Sequence, residues 1–169
     1  MVRVRHGDAV WEEIKDRAGV SSLSFISNEP YPDEMTYKLV GAASEILKQP
    51  ASALLEAFGE YWVLHTSQES YPDLMRMAGK SLPEYLQNLN HLHTRVEMIF
   101  PKLKPPRFEC TDVGPRSLLL HHRTHREGMA PFTIGLVKGL GTMFGTPAKV
   151  TLVRERGKGS DHDVFEVSR

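Results

Sequence analysis

Residues 81–101, SLPEYLQNLNHLHTRVEMIFP, constrain the chain more than any other stretch. Ser81 is a favourable N-cap, Pro83 falls in the first turn where a missing N–H costs nothing, and Glu84 completes a capping box. Pro101 and the following Lys-Leu-Lys-Pro-Pro end the pattern. Between these signals Leu82, Tyr85, Leu86, Leu89, Leu92, Val96, Ile99 and Phe100 recur at three- and four-residue spacing, so the stretch is predicted to be one amphipathic helix. His93 lies inside the apolar stripe. His91, rotated by about 200° from it, shares the polar side with Gln87, Asn88, Thr94 and Arg95. One of the two histidines is therefore aimed at the core. A neutral core imidazole bonded to a backbone carbonyl and a neutral imidazole ligating iron or zinc are both compatible with this position.

The remaining elements can be placed around this helix. Asp8 can cap a short helix carrying Trp11, Ile14 and Ala18 on one side, with Gly19 as its left-handed end. Val2 and Val4 alternate with arginines, which fits an edge strand or the last turn of a helix. Residues 21–32, rich in Ser, Asn and Pro, read as a loop. A second helix opens at Asp33 and stops before Pro50. A third, capped by Ser52, has Leu54, Leu55, Phe58, Trp62 and Leu64 as its buried side. Gly59 in its middle costs about 1 kcal/mol relative to Ala and points to a close packing contact. Residues 71–79 form a short helical segment.

After the organising helix the period changes to two. Residues 107–113 and 117–122 read as antiparallel strands joined at Gly114 and Pro115, with Leu118, Leu120 and His122 on one face and Leu119 and His121 on the other. Residues 126–145 return to helical spacing, and 149–154 with 164–167 form a closing hairpin. Helices followed by a strand pair, a helix and a strand pair predict an α+β fold with a small four-stranded antiparallel sheet.

Composition narrows the function classes. With 169 residues, 40% of them hydrophobic, the chain is long enough for one domain with a sizeable core. Lys plus Arg and Asp plus Glu both number 21, so no net field favours nucleic acid or an anionic membrane as a partner. Cys110 is the single cysteine, which excludes an internal disulfide and a multi-cysteine zinc site and suits a reducing compartment. No apolar run has the length of a membrane span, and the first residues lack the h-region of a secretory signal, so a cytoplasmic location is expected. No phosphate loop, nucleophile–base pair or carboxylate pair suggests catalysis, and the chain is not expected to be an enzyme. A metal-dependent enzyme built on His91, His93, His121, His122 and His125 is disfavoured by geometry. His91 and His93 leave different sides of one helix, and His121 and His122 face opposite ways on a strand.

Five fragments, in this order and spacing, resemble the haem nitric-oxide-binding domain, the sensor module of soluble guanylate cyclase and of bacterial signalling proteins. They are LVGAASEIL at 39–47, FGEYWV at 58–63, YLQNLNHLHTRVEMIFPKLKPPRFECTD at 85–112, REGMAPFTIGLVKGL at 126–140 and DHDVF at 161–165. The resemblance covers nearly the whole chain. It implies one haem-binding domain over 1–169, with a distal helical subdomain at 1–52 and a proximal subdomain at 53–169 enclosing a pocket for haem b, iron protoporphyrin IX. It further implies that His93 is the proximal ligand to the iron and that Pro106 is the proline that presses on the porphyrin.

The family's propionate-binding signature is Tyr-x-Ser-x-Arg. The matching residues here are His122, Thr124 and Arg126, so a histidine replaces the tyrosine and a threonine the serine, while the arginine is kept. Phe132 stands where oxygen-binding members carry a distal tyrosine. A phenyl ring donates no hydrogen bond to bound dioxygen, so the resemblance implies a sensor of nitric oxide, with carbon monoxide as a further ligand, that discriminates against oxygen. The partner it implies is a separate signalling enzyme, such as a histidine kinase or a cyclic-di-nucleotide enzyme. Family members usually have a longer first helix than the one starting at Met1. That departure and His122 leave a second reading, a haem-free interaction domain with the same fold and a decayed pocket.

Overall fold

The computed structural model describes residues 1–20, 25 and 31–169. The loop expected over 21–32 lies outside the described residues except at Phe25, Tyr31 and Pro32. Three helices come first: α1 (Val2–His6), α2 (Asp8–Arg17) and α3 (Asp33–Leu47). The alternating Val2 and Val4 are thus helical, and Gly7, not Asp8, is the N-cap of α2. Gly19 has the expected positive φ of 72°. Ile14, Ala42, Ala43 and Leu54 form a small apolar cluster, against which Trp11, Leu39 and Ile46 pack.

The third predicted helix, α4 (Ala51–Tyr61), starts one residue before Ser52, which lies inside it and does not cap it. It continues through a π-helical turn, Trp62–Thr66, into α5 (Ser67–Ser70), and α6 (Pro72–Met77) follows. Gly59 is explained by its neighbour: a Cβ there would lie 2.3 Å from the backbone oxygen of Phe132. That oxygen belongs to α9 (Ala130–Met143), which crosses α4 closely. The partner glycine on α9 is Gly135, whose Cβ would meet the Glu56 oxygen at 1.9 Å.

The organising stretch is two helices rather than one. α7 (Leu82–Gln87) has the expected Ser81 cap, with the Glu84 N–H donating to its hydroxyl at 3.4 Å and the Glu84 carboxylate accepting from Lys80 N at 2.9 Å. The helix stops at Asn88 (φ −93°, ψ 0°), whose side-chain amide donates to the Ala78 carbonyl at 2.9 Å, and α8 (Leu89–Ile99) restarts beyond it. A periodic pattern does not reveal such a break, because the side-chain amide draws the turn toward a partner ten residues away. The apolar stripe also ends earlier than predicted: Met98 and Ile99 are 77% and 59% exposed.

The strands are β1 (Arg107–Thr111), β2 (Ser117–Arg123), β3 (Lys149–Arg154) and β4 (Asp163–Ser168), all antiparallel and in the order β1-β2-β4-β3. Leu118, Leu120 and His122 face inward together with Phe165 and Val167, as the two-residue period requires. Their face joins Leu82, Tyr85, Leu86, Leu89, Leu92, Val137 and Leu140 in the main core. Burial pushes the Tyr85 hydroxyl well above the usual phenol range and the Cys110 thiol up to about 11, so neither is ionised near neutral pH.

Candidate functional site

His93 is half-buried on α8, and its Nδ1 lies 2.8 Å from the Pro106 carbonyl oxygen. A carbonyl only accepts, so Nδ1 carries the proton and donates, and Nε2 keeps its lone pair. Burial lowers the pKa of this imidazole, with the Pro106 bond and Glu97 opposing. The side chain is therefore held neutral in a single tautomer, the state a metal ligand requires.

Its surroundings follow from strand pairing. Phe108 on β1 sits opposite His122 on β2, and their rings stack at 5.0 Å and 20°. The His93 ring lies 5.6 Å from Phe108 on the helix side, and Phe165 lies 6.2 Å from His122. α8 is fastened to this strand by Asn90, whose side-chain oxygen accepts from Phe108 N at 2.8 Å and whose amide donates to the Phe108 carbonyl. The side chain thus satisfies the unpaired edge of β1 where the sheet ends.

His122 is 3% exposed. Its Nδ1 has no hydrogen-bond partner among the described residues and stands 3.6 Å from Oδ2 of Asp163, whose Oδ1 accepts from Arg156 N at 2.9 Å. Burial lowers its pKa and Asp163 opposes that, so the neutral imidazole prevails.

Thr124 and Arg126 lie in the turn between β2 and α9 rather than in a helix, which begins only at Ala130. The Thr124 hydroxyl accepts from Arg126 N at 3.2 Å, and its carbonyl accepts from Arg156 Nη1 at 2.8 Å. The Arg126 guanidinium reaches α3: Nε lies 2.7 Å from Asp33 Oδ1, and Nη2 donates to Thr36 Oγ1 at 3.3 Å. The Nε contact is close in distance but not aligned as a hydrogen bond. Tyr37 adds a third tie, donating to the Glu127 carbonyl at 3.0 Å.

Arg126 and Phe132 line a cavity of about 710 Å³ between the N-terminal helices, α4 and α9. Its wall is mostly apolar, with Trp11, Met35, Leu39, Leu54 and Phe58 among the lining side chains, and Phe58 lies 5.4 Å from Phe132. This size and character suit an organic cofactor. The residues singled out from the sequence thus fall into two groups. Arg126 and Phe132 meet at the cavity, whereas His93, Pro106, His122 and Thr124 are not among the residues lining it. The histidines invoked for a metalloenzyme are not gathered: His91 is exposed, His122 faces the core, and His121 is hydrogen-bonded to His162 at 2.8 Å. No group of three or more His, Cys, Asp or Glu among the described residues is arranged to hold a metal ion.

No local pattern in the sequence marks Asn90, Asp33, Thr36 or Asp163 as a partner of the site residues. Each acts across 18 to 93 residues of chain, a distance that no local pattern spans.

The model of the Haem-NO-binding family matches residues 1–152. The soluble guanylate cyclase gcy-37 of Caenorhabditis elegans is 30% identical over 172 residues, which is 96% of this chain and 24% of that protein. The soluble guanylate cyclase gcy-31 of the same organism is 26% identical over 139 residues, 82% of this chain and 20% of that protein. The chain spans a quarter or less of the length of these two relatives. Among solved structures, an H-NOX protein from S. oneidensis in the Fe(II) ligation state superposes with a TM-score of 0.89 at 16% identity, covering 99% of this chain and 89% of the other. The unliganded Fe(II) H-NOX protein from K. algicida gives 0.83 at 22% identity, with 99% and 89% covered. The α+β architecture read from the sequence is the fold of these neighbours. No helix among the described residues is long and apolar enough to cross a membrane.

Proposed function

Because the chain belongs to the Haem-NO-binding family, we propose that it is a haem-based gas sensor, which binds nitric oxide at ferrous haem b and signals to a partner by release of His93. This sensor domain is not itself an enzyme. The observation that carries the reading is the His93 tautomer: a half-buried neutral imidazole whose Nδ1–H is committed to Pro106 offers Nε2 to a metal. The mostly apolar cavity and the permanent cation of Arg126 on its wall fit a flat apolar macrocycle bearing carboxylates.

In this reading His93 would hold the iron, Arg126 would pair with a propionate with Thr124 in support, His122 stands in place of the family tyrosine, Pro106 would press on the ring, and Phe132 would form an apolar wall. When bound, the haem would supply a ferrous iron able to take nitric oxide, and His93 is the residue that would hold that iron. The chain's part is to convert release of His93 into a change of surface. α8 is tied to β1 through Asn90 and to Pro106 through His93, so a change in the restraint on His93 biases the position of α8 relative to the sheet. The receiver is a separate signalling enzyme, such as a histidine kinase or a cyclic-di-nucleotide enzyme.

A haem-free interaction domain is the second reading, favoured by His93 and His122 lying outside the cavity lining. Haemin titration of the parent and of His93→Gly separates the two. The proposal expects one haemin per chain, loss of the histidine-ligated spectrum in the variant and its return with added imidazole. Equal spectra for parent and variant would reject His93 as the ligand.

A further inference from the structure

Arg126 lines both the 710 Å³ cavity and a shallow outer recess shared with Asp33, Tyr37, His125, Glu127 and Gly128, so it stands at the boundary between inside and outside. Two features of its guanidinium are informative. Its contacts to α3 use Nε and Nη2, the side edge of the fork, with Asp33 and Thr36 as partners. The opposite edge, Nη1 with the second proton of Nη2, is engaged by neither residue, and that edge can grip a carboxylate through two parallel bonds. The Nε–H is buried and out of line with Asp33 despite the 2.7 Å separation. Asp33 therefore holds Arg126 by charge and proximity, and the end edge of the fork is left for a second acceptor. Tyr37, one turn further along α3, holds the same backbone turn through the Glu127 carbonyl.

We infer that Asp33 and Thr36 are positioning residues that tie Arg126 to α3, so that α3 and the turn carrying Arg126 close together over a carboxylate-bearing ligand in the cavity. This rests on the proposed haem site and adds to it a specific latch. In it the ligand's carboxylate takes the end edge of the guanidinium while α3 keeps the side edge. The wall formed by Met35, Thr36 and Leu39 on α3 is then held against the ligand by the charge at its rim.

The experiment measures haem loss to an excess of apomyoglobin for the parent, Asp33→Asn and Thr36→Val, loaded in parallel with haemin and with haemin dimethyl ester, which has the same ring and iron but no free carboxylates. The latch predicts that haemin leaves Asp33→Asn about five- to tenfold faster than the parent and Thr36→Val about two- to threefold faster, with all three proteins equal for the ester. Thr36→Val keeps the charge at the start of α3, so its result stands if Asp33→Asn weakens that helix. Equal rates for haemin in all three proteins would overturn the inference. So would the same acceleration for haemin and ester, which would make Asp33 and Thr36 merely structural. A parent that holds neither porphyrin would instead remove the proposed function and this inference with it, an outcome visible before any variant is compared.

Discussion

The crossing of α4 and α9 supports one side of the cavity, and Gly135→Ala tests how tightly that crossing is set. A Cβ at Gly135 would lie 1.9 Å from the Glu56 carbonyl oxygen and 3.0 Å from Glu60 N, where ordinary contact begins at 3.4 Å, a deficit of about 1.5 Å at the oxygen (3.4 − 1.9). The obstructing atoms are backbone, so no side-chain rotation relieves the clash and the helices must move apart. Gly59 and Gly139 reinforce the same crossing, with built Cβ contacts of 2.3 Å and 2.9 Å, so separation would loosen three contacts together. Alanine gains about 1 kcal/mol of helix propensity over glycine. Overpacking costs about 1–3 kcal/mol or more, and a backbone clash belongs at or above the upper end.

The expected net destabilisation is about 2 kcal/mol, a fall in Tm of about 4–8 °C for a chain of this size. Gly41→Ala is the control, because a Cβ on that exposed position of α3 meets nothing within 4 Å. It should raise Tm by about 2–4 °C through propensity alone. The assay is thermal unfolding of the cofactor-free protein by circular dichroism. If Gly135→Ala melts at or above the parent, as Gly41→Ala should, the reasoning about close approach is wrong.

Other outcomes follow from the same geometry. Asn90→Ala leaves the Phe108 N–H and C=O at the sheet edge without their partner and should cost about 1–2 kcal/mol in urea unfolding; an unchanged midpoint would show that water replaces the amide at no cost. His93 and His122 have pKa values lowered by burial, so the unfolded chain binds more protons than the fold just below the ordinary imidazole pKa of about 6.5. Their contribution to stability is full above that pH and is lost as pH falls through the folded values. Tm of the cofactor-free protein should therefore drop between pH 7 and 5, and His122→Gln should flatten the slope. His122→Tyr restores the family's phenol and should slow haem loss; equal retention in both proteins would count against a role for His122 in holding haem. Phe132→Tyr places a donor on the cavity wall and should confer a measurable oxygen complex, read by visible absorption.

Most of the architecture was legible because apolar spacing sets it. The period of two around Leu118, Leu120 and His122, and the N-cap at Ser81, reappear in the structure as read, whereas the Glu84 carboxylate takes the Lys80 N–H instead of the Ser81 N–H that a full capping box requires. The break at Asn88 has no mark in the apolar spacing because a side-chain bond to Ala78, a tertiary contact, decides it. The exposure of Met98 and Ile99 has a similar origin: the stripe continues in sequence after the core has ended in space. At the candidate site His93 was picked out by its place in a helical stripe, but its tautomer depends on a carbonyl 13 residues away. The tie between Arg126 and Thr36 spans 90 residues and Asp33 lies farther still, so it needed the fold.

The proposed function stands on His93 ligating a ferrous haem that nitric oxide, but not oxygen, converts to a new state. The most direct test is the visible spectrum of the haem-loaded protein, reduced without oxygen and then exposed in turn to air and to nitric oxide. The expected result is a Soret band of histidine-ligated ferrous haem, no stable oxygen complex, and a shift on nitric oxide to the band of a complex without histidine. A spectrum of loosely associated haem, identical in His93→Gly and unmoved in ligation by nitric oxide, would contradict it.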